Sequence, residues 1–65
     1  MNMLIEDESL NVEVFDHELY VKFNRRGGRC EQLTEVWLDN WNILPVMTDG
    51  EQETLMNEID DRLAE

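Results

Sequence analysis

Residues 31–46 read "EQLTEVWLDNWNILPV", and two secondary structures compete for them. Wound as a helix, Leu33, Val36, Trp37, Asn40, Trp41 and Leu44 fall on one stripe, which Asn40 interrupts. Drawn out as a strand, Val36 and Leu38 point one way while Glu35 and Trp37 point the other. Residue type favours the strand. Thr34, Val36, Trp37 and Ile43 suit a pleated surface, and "LDN" at 38–40 breaks helices and suits a turn or bulge. Residues 34–38 are therefore expected to form a strand that kinks at Asp39 and Asn40. A short extended piece, Trp41 to Leu44, then leads to Pro45.

Upstream, "LNVEVFDHELYVKF" (10–23) alternates with period two. With His17 and Glu18 as the central turn residues, Val14 faces Val21 and Val12 faces Phe23 on the inward side. Phe15 then faces Tyr20, and Glu13 faces Lys22, on the outward side. A longer loop keeps the same parity, and "DHE" lacks the Asn-Gly or Asp-Gly of a tight primed turn. Downstream, Thr48 and Glu51 in "TDGE" form a capping box, and Leu55, Met56, Ile59 and Leu63 repeat as one apolar helical stripe. The stripe has to cover the inward face of the sheet. The expected fold is a small α+β domain spanning 1–65, with a three-stranded antiparallel sheet (N-terminal hairpin plus third strand) packed against one C-terminal helix. There are no internal repeats and no low-complexity segments.

Sixty-five residues lie near the lower limit at which one core folds unaided, and 42% hydrophobic residues exceed what a disordered acidic tail carries. A dimer interface or bound partner would supplement so small a core. The single cysteine, Cys30, forms no internal disulfide, which points to a reducing cytoplasm. The opening "MNMLIEDESL" lacks the basic and apolar regions of a signal peptide, and the longest apolar run, "ILPVM", is far short of a membrane span. A net charge of −11 disfavours direct contact with nucleic acid or an anionic membrane and favours basic protein partners.

No enzymatic chemistry is expected, and no cofactor or metal. Ser9, His17 and Cys30 are the only serine, histidine and cysteine, and His17 falls on the hairpin turn. From Asp39 the third and fifth positions are Trp41 and Ile43, unlike a calcium loop, and no CxxC, HExxH or phosphate-loop pattern occurs. Cys30 has no activating base, although the charge of nearby Arg29 would lower its pKa modestly, and it reads as an inert small residue.

Two surfaces remain as candidates. The helix carries Asp49, Glu51, Glu53, Glu58, Asp60, Asp61 and Glu65 against Arg62 alone. The helix dipole accounts for acids in the first turn, whereas Asp60, Asp61 and Glu65 crowd the negative end at a cost of about 0.3–1 kcal/mol each. B-DNA presents one phosphate charge per ~1.7 Å of axis, a field that the carboxylates of Glu51, Glu53, Glu58, Asp60, Asp61 and Glu65 would imitate. Glu6, Asp7 and Glu8 supply a second acidic strip. The other candidate surface is aromatic. Phe15, Tyr20 and Trp37 share the outward sheet face, and such residues dominate interface hot spots; the plain alternative is that Trp37 and Trp41 finish the core.

In size, in charge and in joining a hairpin to the capped helix "TDGEQETLMNEIDDRLAE", the chain resembles small acidic phage-encoded inhibitors of host defence or transcription, including anti-CRISPR and anti-restriction DNA mimics. The resemblance implies a protein-binding inhibitor that occupies a basic nucleic-acid-binding surface on a host effector such as a CRISPR or restriction complex. The alternative is a structural or regulatory homodimer module that associates through the aromatic sheet face. An antitoxin or transcription cofactor would need a basic DNA-reading element, and only the arginine loop is available for that.

That loop is "NRRGGR" (24–29), which with Lys22 holds four of the five basic residues and leaves Arg62 alone against sixteen acids. Its arginines could neutralise the protein's own acids, touch a partner's carboxylates or cradle a phosphate. The loop is expected to form a tip remote from the acidic helix face. Under internal neutralisation, Arg25, Arg26 and Arg29 would each lie near a carboxylate such as Glu31 or Glu35.

Overall fold

The computed structural model describes residues 3–65. Four strands form one antiparallel meander: β1 (Leu4–Val14), β2 (His17–Arg26), β3 (Arg29–Leu38) and β4 (Trp41–Asn42), in the order β1-β2-β3-β4. A 3₁₀ turn (Leu44–Val46) connects the sheet to one helix, α1 (Asp49–Leu63). The α+β class and the antiparallel sheet under a C-terminal helix are as the sequence predicts. The sheet has a fourth strand because the chain reverses at Asp39 and Asn40, pairing Leu38 with Trp41 and Trp37 with Asn42.

The hairpin turns two residues earlier than expected. Phe15 and Asp16 occupy the turn, and Val14 pairs with His17, Val12 with Leu19 and Leu10 with Val21. The register moves by an even number of residues, so the side chains that remain in the strands keep their predicted faces, while Phe15 leaves the outward face for the turn. Cross-strand partners do change. Glu13 faces Glu18 instead of Lys22, Lys22 lies between Ser9 and Glu35, and Tyr20 lies between Asn11 and Trp37.

β3 is twice the predicted length and explains the ambiguity of its sequence. Its inward residues are Cys30, Leu33 and Val36, all buried, at a spacing of three that imitates a helix. The spacing arises from two register shifts, between Lys22/Phe23 and Asn24/Arg25 of the partner strand, which leave Thr34 and Glu31 as extra residues on β3. Each bulge turns the alternation by one residue, and two restore it. β1 carries a similar irregularity between Ile5 and Glu8, where Asp7 has a φ of 57° and its N–H donates to Asn24 Oδ1 at 3.3 Å.

At β4, Asn42 Oδ1 accepts from the N–H groups of Val36 and Leu44 at 3.1 and 3.3 Å, and Ile43 N–H donates to the Val36 carbonyl at 2.7 Å. One side chain thus ends the sheet and starts the link to the helix. The capping box closes as expected. Glu51 N–H donates to Thr48 Oγ1 at 3.1 Å, and Thr48 N–H donates to Glu51 Oε1 at 2.8 Å. From α1, Leu55 and Ile59 are buried while Met56 and Leu63 pack at the margin. They cover Val12, Leu19, Val21, Phe23, Cys30, Leu33 and Val36 in a core that, among the described residues, contains no buried polar or charged residue. Among the described residues no helix is long and apolar enough to cross a membrane.

Candidate protein-binding surfaces

The meander puts the Phe15–Asp16 and Asp39–Asn40 turns at one end of the sheet and the Gly27–Gly28 turn at the other. Gly27 takes a φ of 64°, a conformation that a residue without Cβ adopts freely. The N–H of buried Cys30, next to this turn, donates to Asp60 Oδ1 at 2.7 Å. That bond fixes the C-terminal part of α1 at the glycine end. A helix of fifteen residues spans about 22 Å, so Asp49, Glu51 and Glu53 lie toward the opposite end.

The arginine loop is therefore beside the helix, not remote from it as expected. Each of its arginines meets a carboxylate: Arg25 Nε lies 3.0 Å from Glu8 Oε2, Arg26 Nε 3.1 Å from Glu31 Oε2, and Arg29 Nε 3.5 Å from Asp60 Oδ2. Glu31 is among the partners predicted. Glu35 is not a partner; its Oε1 instead accepts the Trp37 Nε1–H at 2.7 Å. Glu8 and Arg25 are diagonal neighbours on the helix-facing side, where they close the core at its glycine end. Their side chains are only 28% and 27% exposed, and they meet charge to charge without an aligned N–H···O bond. Arg62 lies 3.9 Å from Glu58, one turn back along the helix.

Of the proposed helix acids, Glu51, Glu53, Asp61 and Glu65 are exposed. Asp60 is not a free surface carboxylate, because its two oxygens serve the Cys30 amide and Arg29, and its side chain is 22% exposed. Its place near the C-terminal end is thus accounted for within the fold. The four glutamates and aspartates that pair with arginine leave twelve carboxylates without an ion pair among the described residues. One group of these does not stand out in the sequence pattern. Glu13, Asp16, Glu18 and Asp39, all exposed, gather at the two-turn end with no lysine or arginine beside them. The hairpin joins the first three, and the meander brings Asp39 to them. Glu13 and Glu18 stand directly opposite, an arrangement that destabilises the hairpin.

Among the described residues no element covers the outward sheet face. Tyr20, 42% exposed, stands directly opposite half-buried Trp37. Phe15 is not beside them, since it occupies the turn. Trp41 is 59% exposed on the edge strand, and neither tryptophan belongs to the core.

Ser9, His17 and Cys30 lie at the levels of Lys22, His17 and Arg25 along β2, which separates neighbouring levels by about 17 and 10 Å along the strands alone. Burial, then the charge of Asp60, push the Cys30 thiol up to about 11. Among the described residues there is neither a pocket nor a group of three metal-ligating side chains. Comparison with protein-family models, with curated proteins and with solved structures finds no match.

Proposed function

We propose that the protein is an acidic inhibitor that binds a basic, nucleic-acid-binding surface of a host effector, such as a CRISPR or restriction complex, in place of DNA. The observation that supports this reading is the internal use of every arginine. All four are paired at or near the glycine end, two of them with helix acids, so the acids of the other end and of the first turns of the helix face outward with no arginine beside them. Glu51, Glu53, Asp61 and Glu65 on the helix would act with Glu13, Asp16, Glu18 and Asp39 as phosphate surrogates, while Asp60 and Glu58 hold the protein's own cations. Such a surface steers association and makes it sensitive to salt. The test is capture from bacterial lysate at low and high salt, followed by competition with duplex DNA. Nucleic-acid-binding proteins that bind at low salt and leave when DNA is added are the expected catch. Failure to capture any, or capture that DNA does not reverse, would sink the reading.

The uncovered Tyr20–Trp37 pair favours a second reading, a homodimer module joined through the outward sheet face. Under it Trp37→Ala yields a monomer or an unfolded chain, and charge reversal on the helix does little. Wild-type protein sedimenting as a monomer at high micromolar concentration would exclude it.

A further inference from the structure

We propose that the open edge of β1 accepts an extended basic segment of another protein as a fifth strand. The proposal concerns a different surface from the helix carboxylates and stands even if those bind nothing. β1 has eleven residues and forms one edge of the sheet, whereas the other edge, β4, has two. A two-residue turn closes on a hydrogen-bonded pair, here Val14 with His17, so Val12 and Leu10 also bond to β2. The alternate residues Ser9, Asn11 and Glu13 then aim their N–H and C=O groups outward. No other hydrogen bond reaches these three among the described residues.

Natural proteins blunt such edges with lysine, proline, bulges or a covering element. β1 contains neither lysine nor proline, and its bulge at Asp7 leaves Glu8 to Val14 in regular pairing. Beside this run Leu10 and Val14 are only partly buried, so apolar surface borders the edge on the helix side. On the outward side Glu13 faces Glu18 with no cation between them. A strand that alternates apolar and basic residues satisfies both sides at once: its apolar residues cover Leu10 and Val14, and its basic residues approach Glu13. Backbone pairing supplies affinity and the alternation supplies selectivity. A second copy of this chain fits poorly. β1 carries Glu6, Asp7, Glu8 and Glu13 and no basic residue, so no register brings a cation to them, and each copy bears −11.

The probe is a synthetic peptide alternating valine and lysine, titrated into isotope-labelled protein while amide exchange and chemical shifts are followed. Slowed exchange at the amides of Ser9, Asn11 and Glu13 is expected. Asn11→Pro removes one outward N–H without touching the β2 ladder and should weaken the peptide about tenfold. Should that variant melt early, Asn11→Lys places a repelling charge on the same edge and should also weaken binding. A proline-interrupted peptide of equal charge should bind much less. Equal binding of that control, protection confined to the helix, wild-type affinity in a folded edge variant, or edge protection through self-association without peptide would each overturn the proposal.

Discussion

The amide of Cys30 is buried next to the glycine turn and finds its acceptor thirty residues away, in Asp60. Removing that acceptor strands a donor in the core. Asp60→Ala is therefore expected to cost about 1–3 kcal/mol in urea unfolding, and Asp60→Asn, which keeps Oδ1, less. Exposed Asp61→Ala should cost almost nothing, so equal losses at 60 and 61 would show that the amide bond contributes little. The Cys30 thiol next to it responds to pH. It ionises near 11 in the folded chain against an ordinary 9.0, so the unfolded chain releases its proton first as pH rises. The stabilisation is complete below pH 9 and is lost progressively up to about 11, on the order of 2–3 kcal/mol. Cys30→Ala should remove that part of the slope. Alkylation of the folded protein at pH 8 should be slow, and a rapid reaction would contradict the burial.

The Phe15–Asp16 turn sets the hairpin register at a cost in backbone strain. Both residues have positive φ, 56° and 61°, the sign pattern of a type I′ turn, which ordinarily carries Asn-Gly. Phenylalanine in this region is unusual. Phe15→Asn and Asp16→Gly should each raise stability, by about 0.5–1 kcal/mol, seen as a higher Tm. A fall in Tm for Phe15→Asn would mean that the exposed ring makes contacts worth more than the strain. The same turn marks how far the sequence can be read. Alternation from Leu10 to Phe23 assigned the strand side chains to their faces but misplaced Phe15, because the register depends on the turn and "FD" lacks the Asn-Gly or Asp-Gly of a primed turn. In β3 the bulges at Glu31 and Thr34 turn a period of two into a period of three, so strand and helix patterns overlap until the pairing partner is known. α1 was legible throughout because Thr48, Glu51 and the Leu55–Ile59 stripe are local signals. The acids at the two-turn end were only partly legible, since Glu13, Asp16 and Glu18 share one hairpin whose register depends on its turn, and Asp39 joins them only through the meander.

Across the whole molecule, charge is sorted as well as unbalanced. The arginines are confined to the glycine end and the adjoining end of the helix, whereas unpaired acids are found at both ends. Replacing Arg25, Arg26 and Arg29 together with Gln tests what this arrangement does. The pairs of Arg26 and Arg29 are exposed, Arg29 itself by 82%, and exposed pairs contribute about 0–1 kcal/mol. The Arg25–Glu8 pair is better shielded and closes the core, so most of any loss should appear in Arg25→Gln alone. The triple variant also removes every cation but Lys22 and Arg62, and the self-repulsion that results acts over a distance set by salt, about 10 Å at 0.1 M. Its Tm deficit should therefore be largest at low ionic strength and shrink as salt is added. A deficit that ignored salt would point instead to lost packing of the arginine stems. Binding distinguishes the roles of the loop. Arginines engaged with the protein's own acids are not needed by a basic partner, so the triple variant should bind such a partner at least as tightly at low salt. Weakened binding by a variant that remains folded would mean that the glycine end itself touches the partner, with its arginines meeting carboxylates on the other side.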